Sequence, residues 1–308
     1  MRKTTWLNRA ITAPLLTIML CAAAEMAHAG LAEGRAAIAR GDYAAALKEL
    51  RPLAIQGNAA AQFGLGLMYS LGAGLPKDDR QAVEWFRKAA EQGSADAQNS
   101  LGLSYDNGNG VTKDERQAVE WYRRSAVQGY AAAQHNLGLV YANGRGVPKD
   151  DREAVGWYRK AADQGYSKAQ NNLGLKYADG QGVRKDDQQA VEWFRKAADQ
   201  GDPEGQFNLG VKYQFGQGVS KDDRQAVEWY RKGADQGSAM AQHNLGNMYG
   251  NGRGVPRDYR QAYFWWLLAS AQGFEEATKN RDIVEQNLSQ AERSAVQAKA
   301  LAWVPKNK

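Results

Sequence analysis

Histidine and cysteine are scarce in this chain of 308 residues, which holds three and one. His135 and His243 hold the same place in two copies of "AQHNLG", where other copies carry Asn or Phe. A metal site needs three or four ligands converging, which two lone histidines in separate copies do not supply. A serine β-lactamase set would need Ser-x-x-Lys and Lys-Thr-Gly, and neither occurs. The "YAN" at Tyr141 looks like one piece of such a set, but "YDN" at Tyr105 and "YGN" at Tyr249 make it part of a recurring pattern. Runs such as "NGNG" at Asn107 and "NGRG" at Asn143 and Asn251 have no preceding strand and no following Gly-Lys-Ser/Thr. They read as interhelix turns rather than phosphate cradles. The "KDD" triplets, as at Lys77 to Asp79, offer paired carboxylates, yet one Asp is placed to cap a helix and its neighbour suits the helix dipole. Trp85, Trp121, Trp157, Trp193 and Trp229 could stack sugars, but they fall on an apolar stripe, which predicts core packing. No catalytic residue, metal ligand or cofactor is assigned.

The elements that hold these residues repeat. "KDDRQAVEWFRKAAEQG" from Lys77 returns as "KDERQAVEWYRRSAVQG" from Lys113, 36 positions later. Six units align without a gap, at 58–93, 94–129, 130–165, 166–201, 202–237 and 238–273. Each reads as two helices. In the second, Ala82, Trp85, Phe86 and Ala89 form one apolar stripe, with Glu84 and Lys88 as an i, i+4 pair on the wet side. Asp78 with Gln81, and Asp150 with Glu153, resemble capping boxes, and Gly93 supplies a left-handed stop. The first helix carries Ala133, Gln134, Leu137, Gly138 and Tyr141 on one packing arc. A helical glycine costs about 1 kcal/mol against alanine, so Gly138 and its counterparts imply a close approach between helices. One helix pair cannot bury its own stripe, whereas stacked pairs share a continuous core.

The chain's ends differ. Arg2, Lys3 and Arg9 precede an apolar run over 10–24, and "AHA" at 27–29 has the form of a cleavage site, which predicts a signal peptide over 1–29 cut after Ala29. Cys21, the sole cysteine, follows Leu20 rather than a small residue, which argues against a lipoprotein. The chain after Ala29 therefore has no thiol chemistry and no membrane span, and is expected to be soluble, periplasmic or secreted. Its net charge is +6, or +4 without Arg2, Lys3, Arg9 and Glu25, and both signs are interspersed, which is no footprint for nucleic acid. Residues 30–57 read as an N-terminal capping helix pair and 274–308 as C-terminal capping helices and tail, with Ser289 and Glu292 as a further capping box.

The unit "A-x-x-x-L-G-x-x-Y-x-x-G-x-G-V-x-K-D-x-x-x-A-V-x-W-Y-R-x-A-A-x-Q-G" resembles the Sel-one-like repeat (SLR) family, an α/α relative of the tetratricopeptide repeat. The resemblance implies an all-α, right-handed superhelical solenoid of six helix-pair repeats with capping helices, acting as a non-enzymatic adaptor in envelope assembly or signalling regulation. It also implies that the first helices line a groove. The positions that vary there are Asn136, Asn172, Asn208 and Asn244 in one row, Lys176 and Lys212 in a second, and Phe215 in a third. An Asn ladder offers donors and acceptors to an extended peptide backbone, and the lysines suit a carboxylate. The expected partner is another envelope protein or its exposed peptide. In the sixth unit Tyr263, Phe264, Trp266, Leu267 and Leu268 replace the usual Val-Glu-(Trp)-Tyr-Arg-Lys run and make both sides of that helix apolar, either as the seat of the C-terminal helices, with Trp303 a candidate contact, or as a docking patch. Two other readings stand beside the adaptor. Cysteine-rich relatives bind or slowly hydrolyse β-lactams, although this chain lacks their disulfides. Binding of peptidoglycan or exopolysaccharide would need exposed aromatics, for which Phe63, Phe207 and Phe215 are the candidates.

Overall fold

The computed structural model describes residues 29–306, so the expected signal segment lies outside the described residues apart from Ala29. Among the described residues every regular element is a helix. Helices α1 (29–39) and α2 (Tyr43–Ile55) lead the array. The first helices of the six pairs are α3 (Ala59–Leu71), α5 (Ala95–Asn107), α7 (Ala131–Asn143), α9 (Ser167–Asp179), α11 (Pro203–Phe215) and α13 (Ala239–Asn251). The second helices are α4 (Asp79–Glu91), α6 (Glu115–Val127), α8 (Asp151–Asp163), α10 (Asp187–Asp199), α12 (Asp223–Asp235) and α14 (Tyr259–Ala271). Two more, α15 (Glu275–Glu285) and α16 (Gln290–Leu301), follow. The result is an all-α solenoid of consecutive helix pairs. It divides into two compact units, one running to Ala133 and taking in Arg145–Pro148, the other made of Gln134–Gly144 and the chain from Lys149.

Local chemistry sets the ends of each helix. Every second helix starts on an aspartate whose Oδ1 accepts from two amides, as Asp186 does from Gln188 and Gln189 at 3.0 Å each. The expected capping box is only half formed. The amide of Asp78 donates to the Tyr69 carbonyl, as that of Asp186 does to Tyr177, and the Gln81 side chain turns to Glu84 instead. The N-cap amide is thus satisfied by the preceding helix, which ties the constant tyrosine to the aspartate nine residues on. First helices end on a glycine with positive φ, such as Gly180 at +71°. The loop's second glycine answers a different need: a Cβ on Gly182 would lie 2.1 Å from the Asp151 carbonyl oxygen, so the loop rests directly on the start of the preceding repeat's second helix.

In the second unit the core holds a row of leucines, Leu137, Leu173, Leu209 and Leu245, each fully buried, and Leu101 is fully buried in the first. The helical glycine beside each leucine receives a ring. Phe194 lies on Gly174 and Tyr230 on Gly210, with ring carbons 2.7 Å from where a Cβ would stand. Close approach is therefore between a glycine and an aromatic side chain of the same repeat. The neighbouring tryptophans pack at the rim, and each is covered by a cation: Lys160 over Trp157 at 3.8 Å and Lys196 over Trp193 at 3.9 Å. That cover blocks the ring face a sugar would need. Lys88 likewise rides on Trp85 at 4.2 Å, where the sequence pattern pairs it with Glu84.

Buried glutamines stitch the repeats. The Nε2 of Gln170 donates to the Ala162 carbonyl at the end of the preceding repeat, while its Oε1 accepts from Gln200 at 2.7 Å. Gln206, Ala198 and Gln236 repeat the arrangement. A buried carboxamide is tolerated because both its ends are bonded.

Candidate partner-binding face

The four asparagines, Asn136, Asn172, Asn208 and Asn244, lie on α7, α9, α11 and α13 within the second unit, each half-buried on the first-helix face. Asn172 and Asn208 are joined sideways to the preceding repeat. Asn208 Nδ2 donates to Asn171 Oδ1 at 2.8 Å, and Asn172 Nδ2 lies 3.1 Å from His135 Nε2. An amide nitrogen can only donate, so the His135 ring accepts and is neutral. Burial holds its pKa down to about 4, with Lys168 adding to the effect and Asn136 opposing it. Tyr158 and Tyr166 flank the ring at 5.9 and 5.3 Å. His243 occupies the same niche against Phe274, at 4.8 Å. Among the described residues no three His, Cys, Asp or Glu side chains gather as metal ligands.

The lysine row is ion-paired within the fold. Lys176 Nζ lies 2.6 Å from Asp151 Oδ1 and donates to Gln181 at 2.8 Å, and its side chain is only 12% exposed. Lys212 repeats this with Asp187 at 2.6 Å and Gln217 at 3.1 Å, at 8% exposure. Both ammonium groups neutralise an aspartate in the first turn of the preceding second helix, so they are not open to a partner's carboxylate. The Lys176 ammonium in turn holds the Asp151 carboxyl below the ordinary carboxylate range. Sequence spacing did not reveal this, because the partners are 25 residues apart and meet only when repeats stack.

Phe215, the last residue of α11, is 60% exposed. Leu175, one turn beyond Asn172, is 38% exposed, and Leu139 and Val211 hold the same position half-buried in α7 and α11. This apolar row escaped the sequence reading because a near-constant leucine in "LGL" looks like core. The available signal was that five of six units keep an apolar residue there while the sixth has Asn247. Between α7 and α9 the face sinks into a cavity of about 210 Å³, lined in part by Leu139, Tyr158, Asn172, Leu175 and Asp179.

Tyr263, Phe264 and Trp266 do not form an open docking patch. All three are buried, at 1%, 4% and 6% exposure, and Leu267 packs beside them. Val284, Leu288 and Val296 cover Tyr263 and Trp266, and Trp303 packs on the cluster that holds Phe264. Gln297 donates to the Tyr263 hydroxyl at 2.9 Å, and Lys299 lies over the Phe264 ring at 4.8 Å. The second apolar side of α14 is thus the seat of α15 and α16.

The stacked helix pairs and the varied, partly exposed first-helix face define an α/α repeat scaffold with no helix long and apolar enough to cross a membrane among the described residues. The Sel1 repeat profile matches residues 59–94, 95–130, 131–166, 167–202, 203–238 and 239–274, and the chain belongs to this family. Sel1 repeat proteins are generally scaffolds for protein–protein interaction. A Sel1 repeat protein from Oxalobacter formigenes is similar at 35% identity and a TM-score of 0.73, over 78% of this chain and 96% of that one. A protective antigen present in uropathogenic Escherichia coli strains, with an SLR fold, is similar at 28% identity and a TM-score of 0.49, over 91% of this chain and 85% of that one. A comparison with curated proteins finds no match.

Proposed function

We propose that this protein is an exported, non-enzymatic adaptor that holds an extended segment of another envelope protein against the first helices of its last four repeats, in envelope assembly or signalling regulation. The observation that carries this reading is Phe215, an aromatic ring 60% exposed at the end of α11, the helix that also carries Asn208. Asn208 has an acceptor oxygen and a second N–H to offer beyond its bond to Asn171. An extended backbone presents matching groups, and Leu175 and Phe215 supply apolar anchors for its side chains. Export is supported by the basic, apolar and small-residue order of the first 29 residues.

The test is crosslinking in cells, followed by capture of tagged wild type and of a Phe215→Asp, Leu175→Asp variant. Enrichment of one envelope protein by the wild type and its loss with the variant is the expected result. Equal capture by both would remove the first-helix face from the interaction. Substituting Lys176 or Lys212 would not serve, because each change breaks an interrepeat ion pair.

A further inference from the structure

Apolar walls and one carboxylate meet in the cavity between α7 and α9. Leu139, Leu175, Ala142 and the Tyr158 side chain line it, and Asn143 and Asn172 contribute carboxamides. Lys176 is its only cationic lining residue, and that charge is neutralised by Asp151 at 2.6 Å. Asp179 also lines the cavity and is exposed. Lys185, in the following loop, is directed to Asp187 at 3.9 Å. Asp179 is also the last residue of α9, where unpaired carbonyls already make the helix end negative, so its carboxylate stands where a cation is favoured.

Resting on the reading of this face as a protein-binding surface, we infer that the cavity takes a lysine or arginine side chain of the bound segment. A long cationic side chain matches both features of the site. Its methylenes lie along Leu139 and Leu175, and its charged head reaches Asp179. An acidic side chain would meet Asp179 with like charge, and a short apolar one would leave that carboxylate without a partner. The carboxamides of Asn143 and Asn172 are placed for the backbone of the residue that carries the cation.

The experiment uses fluorescein-labelled nonapeptide pools, each fixed for one residue type at the centre and random elsewhere, titrated against the purified protein. The Lys and Arg pools should bind about fivefold more tightly than the Leu pool, the ratio an exposed ion pair supplies, and this margin should shrink in high salt. Asp179→Asn should abolish the margin, and Asp179→Lys should invert it in favour of the Glu pool. Because Asp179 is exposed at a helix end, both variants should melt with the wild type, which keeps the comparison free of misfolding. A Glu preference in the wild type, no preference at all, or a Lys preference that survives Asp179→Asn overturns the cation site while leaving the binding face standing. Absence of binding by every pool overturns both.

Discussion

Lys212 Nζ stands 2.6 Å from Asp187 Oδ1, and one repeat further on the same junction is closed by a different residue. There the lysine position holds Met248, and Arg253, five residues later, reaches Asp223 at 2.8 Å. Where the helix carries Lys, the loop carries Gln217; where the helix carries Met, the loop carries Arg. At the junctions closed by Lys176, Lys212 and Arg253, one cation answers the aspartate of the preceding second helix from either of two positions, whereas Arg145 pairs with Asp106 instead. Lys212→Met should therefore cost about 1–3 kcal/mol, since a partly buried carboxylate loses its charged hydrogen bond. Adding Gln217→Arg should restore most of it. Chemical denaturation of the single and double variants checks this, and equal destabilisation of both would refute the exchange.

His135 makes stability depend on pH. Its folded pKa of about 4 lies below its ordinary value of 6.5 because burial disfavours the charged ring. The unfolded chain therefore binds more protons between these values, and the ring's contribution is complete above pH 6.5 and lost as pH falls toward 4. The loss should be on the order of 2–3 kcal/mol. His135→Asn, the residue that Asn99 and Asn171 show at the same position, should flatten that slope in melts across this range.

Two glycines on helices should respond in opposite ways to alanine. Gly174→Ala would drive a methyl group into the Phe194 ring and should cost about 1–3 kcal/mol despite the better helix former. Gly156, exposed within α8 where four other repeats carry Glu, has nothing within 4 Å of its missing Cβ. Gly156→Ala should stabilise by about 0.5–1 kcal/mol. Thermal unfolding of the pair distinguishes close packing from simple helix propensity.

Gln170→Leu should be more harmful than its similar volume suggests. The change removes two interrepeat hydrogen bonds, each contributing about 0.5–1.5 kcal/mol, although the Ala162 carbonyl keeps the Gly165 amide and Gln200 keeps the Lys196 carbonyl. Exchange of amide hydrogens in α9 and α10 should accelerate together. Protection unchanged in both helices would show that water replaces the glutamine freely.

The helix pairs, their period, their N-cap aspartates and their stop glycines could be read from the residues alone. Those features depend on side chains reaching backbone two or three residues away, as Asp186 does to Gln188 and Gln189. The leucine core could be read as well, since helical periodicity puts Leu173 and Gly174 on one arc whatever lies opposite. The Ser289–Glu292 capping box could be read too and is fully formed, whereas those of the second helices could not, because the amide of Asp78 goes to the Tyr69 carbonyl across a turn whose path the pattern does not contain.

What the sequence determined by itself is the scaffold, since each unit carries its own caps, turns and apolar stripe and its repetition leaves stacking as the way to bury them. The tertiary structure decided which polar groups remain for a partner. Lys176 and Lys212 look like ligands on a helical wheel and are ion-paired in the fold, while Leu175 looks like core and is exposed. Tyr263 and Trp266 could seat the C-terminal helices or form a patch, and the fold places them under α15 and α16. The physical reason is the same in each case. Pairings 25 to 37 residues apart depend on how far one repeat is rotated and shifted against the next, and that offset is a property of packed neighbours rather than of any single unit.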